Sequence, residues 1–65
     1  MDELHHDLDK FEKASDHLIR VSERIDPDKP DHSRVSIALA TAKRVRRETT
    51  LLVRELARLR DQSRP

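Results

Sequence analysis

Sixty-five residues with no cysteine, no glycine and one aromatic side chain, Phe11, set narrow limits on what this chain can be. The length allows one small domain whose own core is meagre, and the lack of cysteine removes disulfides as a staple and any hint of an oxidising compartment. Charged residues make up 42% of the chain and hydrophobic ones 34%, a balance that borders on disorder unless the apolar residues recur with a helical period.

The net charge of +1 conceals a division. Residues 1–31 hold ten acids and five bases, and residues 32–65 hold three acids and nine bases. The halves therefore carry −5 and +6, and opposite charges of that size suggest two segments that lie against each other. No apolar run approaches the ~18 residues that span a bilayer. The opening residues, Met-Asp-Glu-Leu-His-His, lack the basic and apolar regions of a signal peptide. A soluble cytoplasmic protein is expected.

In chain order, the first element is marked by Leu4, Leu8, Phe11, Ala14, Leu18, Val21 and Ile25. Spacings of three and four place these on one face of an α-helix, expected over 2–25. Asp2 is a natural N-cap, and acids at 2, 3 and 7 suit the positive end of the helix dipole. Asp9 with Lys13 and Asp16 with Arg20 are candidate i,i+4 ion pairs, each worth only ~0.2–0.5 kcal/mol.

The stretch "IDPDKPD" at residues 25–31 interrupts this pattern. Pro27 excludes a helical conformation at Asp26, and Pro30–Asp31 is a suitable entry to a second helix. Residues 26–31 have the length of an antiparallel helix–helix connection. The P-x-x-P spacing also matches a polyproline-groove ligand, but acids stand where such grooves favour arginines. The stretch reads as a corner.

A second stripe follows at Val35, Ala38, Ala42, Val45, Thr49, Leu52, Leu56 and Leu59. Strict alternation of three and four gives four successive a/d pairs of a heptad, with Thr49 the one polar member of the seam. The second helix is expected over 32–61, capped by Asp31 or Ser33, with a short tail at 62–65. Folding at residues 28–29 brings positions whose numbers sum to about 57 opposite each other. Leu56 and Leu59 then overhang the first helix, Ile37 and Leu51 lie on the back of the second, and Leu39 and Val53 lie on its flank. The fold class is all-α, an antiparallel two-helix hairpin whose surplus apolar surface calls for dimerisation into a four-helix bundle or for a helical partner.

Chemistry-bearing constellations are few. Glu3-x-x-His6 has the spacing of a di-iron helix, but the second helix offers only Glu48 and Glu55 on its flanks and no matching motif. With no cysteine beside His17 or His32, no metal or cofactor is expected. No phosphate loop, oxyanion turn or nucleophile–base set is present, so no catalytic residue is assigned and an enzyme is not expected. In size and outline such a hairpin is similar to the dimeric RNA-binding repressor-of-primer bundle and to small secretion-system co-chaperones, a likeness of shape without shared motifs.

The leading expectation is a non-enzymatic interaction module, an adaptor, inhibitor or chaperone-like subunit that acts by coiled-coil-like helix packing. Its interface is expected at Ile37, Leu51, Leu52, Leu56 and Leu59, rimmed by Arg54 and Arg58. The alternative is a small dimeric regulator that contacts nucleic-acid phosphates through Arg44, Arg46, Arg47 and Arg54 on the basic second helix. No aromatic side chain is available there for base stacking.

Overall fold

The computed structural model describes residues 2–63. Two helices, α1 (Glu3–Glu23) and α2 (His32–Gln62), pack against each other, and no strand occurs among the described residues. The Arg34 guanidinium donates to the Arg24 carbonyl at 3.1 Å beside the turn, while Leu4 and Leu59 line one cleft at the far end. The helices are therefore antiparallel, as a short connection dictates.

Each helix begins where its cap chemistry lies. The Asp2 carboxylate accepts the His5 N–H at 2.8 Å, and the Asp31 carboxylate accepts the Ser33 N–H at 2.9 Å. Both residues have extended backbone, and both satisfy a donor that a helix start leaves without an intrahelical partner. α1 stops at Glu23, two residues short of the expected end, and Ile25 instead closes a turn through its N–H to the Ser22 carbonyl. Pro27 biases Asp26 away from helical backbone. The Asp26 side chain then accepts the Asp28 N–H at 2.9 Å, and its carbonyl accepts the Lys29 N–H at 3.1 Å. At the other end Gln62 extends α2 one residue past expectation, and the Ser63 N–H bonds to the Leu59 and Arg60 carbonyls. Of the expected tail, Arg64 and Pro65 lie outside the described residues.

The core is thin. Ala14, Ala38 and Leu52 are the buried apolar residues, Thr41 is the buried polar one, and no large side chain is fully buried among the described residues. Ala14 at 1% exposure lies deepest, and its small side chain permits close approach of the helices there. Thr41 satisfies its hydroxyl by donating to the Ile37 carbonyl at 2.8 Å.

Two expectations about packing need correction. The first concerns the overhang of α2. Leu4, Glu3 and Asp2 line a cleft with Glu55, Arg58 and Leu59, so α1 reaches almost to the end of its partner and Leu59 is partly covered. The facing numbers sum nearer to 60 than to 57, because the turn uses more residues on the α1 side than the fold point at 28–29 allowed. The second concerns Thr49, which is exposed and bonds its hydroxyl back to the Val45 carbonyl. Glu48 occupies the seam in its place.

Candidate protein–protein interface

The seam between the helices is marked by the residues that lose exposure. On α2 these include Ala38, Thr41, Val45, Glu48, Leu52, Glu55 and Leu59, spaced three and four apart, with Ala42 and Ala57 partly covered beside them. The apolar stripe shares Ala38, Val45, Leu52 and Leu59 with that series but has Ala42, Thr49 and Leu56 where the seam has Thr41, Glu48 and Glu55. Each of these substitutes lies one residue further on, and one residue turns a helix by about 100°. Averaged over the alternating positions, the apolar stripe points about 50° away from α1. On α1 the same displacement separates Asp7, partly covered in the seam, from Leu8, which is 40% exposed.

The direction of displacement is the same on both helices. Val21 of α1 and Arg24 just past its end line a cleft with Arg34 and Ile37 of α2, and Glu3 lines another with Glu55 and Arg58. These groups mark one broad face, which also carries Arg44 and Leu51. Helical rotation places Leu8 and Ile19 of α1, with Val35, Leu39, Val53 and Leu56 of α2, on the opposite broad face. Among the described residues, six of the eight exposed large apolar side chains thus share one side, and Ile37 and Leu51 lie on the other. The side with six is the apolar face of the hairpin, and the opposite side is its polar face.

The expected interface residues are therefore divided. Leu52 is buried inside the hairpin at 7% exposure and supports the fold, while Leu59 is partly covered beside Leu4. Leu56 lies on the apolar face at 51% exposure, whereas Ile37 and Leu51 belong to the polar face. Arg54 is exposed along the outer line of α2. Arg58 is paired within its own helix, where its Nε lies 3.4 Å from Glu55 Oε2 and its Nη2 makes a short contact to Oε1. That carboxylate hydrogen bond pushes the guanidinium pKa up from its ordinary value. Leu8, Ile19 and Val35 were not among the expected interface residues. Leu8 and Val35 belong to the two apolar stripes and Ile19 lies beside the first of them, but the stripes do not show which members the other helix leaves uncovered.

The arginines proposed for phosphate contact are all exposed, but they do not form one patch. Arg44 and Arg46 are two residues apart and so flank α2 on opposite sides. Arg47 and Arg54, seven residues apart, lie on one outer line with Lys43 close to it. Other polar chemistry is modest. Asp9 and Lys13 pair at 3.0 Å, while the expected Asp16–Arg20 pair does not form among the described residues. The His5 ring Nδ1 lies 2.7 Å from Asp2 Oδ2. The His5 backbone N–H, followed by that ring contact, holds the Asp2 carboxyl below the usual carboxylate range. Among the described residues no three His, Asp or Glu side chains come together in a group that would hold a metal ion, and no helix is long and apolar enough to cross a membrane.

One buried polar atom stands out. Glu48 Oε2 is enclosed in the seam without a hydrogen-bond partner. A carboxylate there is a poor choice for a hairpin that relies on its two-helix seam. Compared with protein-family models, curated proteins and solved structures, the chain matches none.

Proposed function

We propose that the protein is a non-enzymatic interaction module that works by packing its apolar face against other helices. One observation carries this reading: the heptad stripe of α2 is aimed about 50° off the seam, toward the side where Leu8 and Ile19 are also exposed. In a square of four helices the bundle centre lies about 45° from the line that joins neighbours, so the stripe points where a bundle core would be. A hairpin that, among its described residues, buries three apolar ones while leaving eight large ones exposed gains little from folding alone. Partner helices supply the missing burial, and the charged edges set register and partner choice.

The test is sedimentation of the purified chain combined with capture by the tagged chain from its native host. The expected result is a complex, with itself or with a helical protein, at micromolar concentration. A helical, compact monomer that captures nothing would overturn the reading.

The alternative, a small dimeric regulator that binds nucleic acid, draws support from the outer line of α2. Lys43, Arg47 and Arg54 stand there away from both the seam and the apolar face, so bundle formation would leave them free. Arg44 and Arg46 lie to either side of that line and would serve less well. Binding on this reading is salt-sensitive and weakly sequence-specific, and replacing Arg47 and Arg54 by Gln should reduce the salt slope by roughly two.

A further inference from the structure

We infer that the occupant of the apolar face is a second copy of this chain, docked about a two-fold axis that runs parallel to the helices, so that each α1 lies beside the partner's α2. The inference rests on the interaction-module reading and adds the identity and orientation of the partner. The available face is large enough: a hairpin with extents of 55 × 20 × 14 Å offers a broad side of about 1,100 Å², against roughly 800 Å² per partner in a stable interface.

The edges of the apolar face decide the orientation. Along α1 the edge residues are Leu8, Glu12, Ser15 and Ile19, and along α2 they are Leu39, Arg46 and Val53. Read antiparallel at the register of the hairpin, these edges complement each other. Leu8 comes level with Val53, Glu12 with the stretch around Arg46, and Ile19 with Leu39. An axis parallel to the helices preserves those levels, so the α1 edge of each copy meets the α2 edge of the other. Apolar groups then meet at both ends, and acid meets base between them.

The other face-to-face arrangement has its axis across the helices and sets α1 against α1 and α2 against α2, antiparallel. Apolar groups still match in that case, with Leu8 level with Ile19 and Leu39 level with Val53. The charges do not. Glu12 comes within a turn of its own copy, and Arg46 comes level with its own copy, in an interface where like charges are repelled. Charge, and not apolar area, separates the two arrangements.

The choice is measured by a distance. The chain has no cysteine, so a spin label at Asp28→Cys reports on the turn alone. With the proposed axis both turns lie at one end of the bundle, and the inter-label distance is roughly 15–30 Å, on the scale of interhelical spacing plus linkers. With the crossed axis the turns lie at opposite ends, on the order of 45 Å apart, the length of α2 at about 1.5 Å per residue. As a second measurement, Glu12→Arg or Arg46→Glu alone should raise the dimer Kd about tenfold, because the symmetry axis counts each reversal twice. The double variant should return Kd to within about threefold of the parent. A dimer with the long distance, or one indifferent to both single reversals, overturns the proposed orientation. A folded chain that stays monomeric overturns the second copy but spares the interaction-module reading if a heterologous helical protein is captured. A folded monomer that captures nothing removes both.

Discussion

The two broad faces of the hairpin are built from the same pair of helices, yet they use their apolar residues differently. On the polar face Ile37 and Leu51 are separated along α2 and set among Arg24, Arg34, Arg44, Glu55 and Arg58. Scattered apolar side chains of that kind are ordinary on a protein surface. On the apolar face six large side chains run in register along both helices, and the charges stand at the edges. The contrast teaches that exposure alone does not identify an interface. Two residues of about 50% exposure, Ile37 and Leu56, belong to different categories because one has apolar neighbours at heptad spacing and the other does not.

The comparison breaks most completely if the hairpin itself fails. Leu52 is the one large apolar side chain in the buried core, and Leu52→Ala is expected to cost about 2–5 kcal/mol. In so small a domain the loss should appear as reduced helicity by circular dichroism and abolish both faces together. A smaller and more selective effect is expected from charge placed on one face at a time. Leu56→Asp should weaken self-association or partner binding by roughly a hundredfold, while Leu51→Asp changes it by less than about threefold. Equal sensitivity at both sites, measured by sedimentation equilibrium, would erase the distinction between the faces.

Next in size is a stabilising change in the seam. Glu48→Leu removes a buried carboxylate oxygen that has no partner and supplies apolar contact instead, which should gain about 1–2 kcal/mol. For a domain of this length that raises Tm by several degrees, and association through the apolar face should persist. An unchanged or lowered Tm would mean that the seam carboxylate is satisfied in solution.

The smallest effect is a pH dependence at the start of α1. The folded-state pKa of Asp2 is depressed by the His5 N–H, so its capping contribution is complete above about pH 4 and is lost as pH falls through the lowered folded value. The His5 amide should lose protection from hydrogen exchange in that acidic window before amides near Ala14 do. Simultaneous loss along α1 would show that the cap is not separately titrated.

The helices were legible because their signals are local. Asp2, Pro27 and Asp31 act on backbone within three residues, and 3–4 spacing over seven or eight apolar positions excludes a strand. The seam was not legible in the same way. Asp7, Thr41, Glu48 and Glu55 are polar residues on the inside of a two-helix unit, and the apolar stripe drew attention to their neighbours. Two helices cover only part of each other's circumference, so a stripe aimed at the middle of a larger bundle differs from the line of intrachain contact. Sequence alone contains the direction of the stripe but not the direction of α1. The opposite charge of the two halves was visible from the start, whereas its division between seam, edge and outer line required coordinates.

The bond from Arg34 to the Arg24 carbonyl bears on how the molecule assembles in time. It closes a loop of ten residues, whereas bringing Leu4 and Leu59 to the cleft they both line closes one more than five times longer. Short loops of this size close in roughly 10–100 ns and lose less chain entropy than long ones. Folding is therefore expected to nucleate beside the prolines and zip outward, with each new turn of α1 adding to a helix pair already begun. Native-state hydrogen exchange should then show protection that declines from residues near Val21 and Ala38 toward Leu4 and Leu59, and a flat profile would argue against it. On this expectation the open end of the hairpin frays first, leaving the clasped turn as the last structure to dissolve.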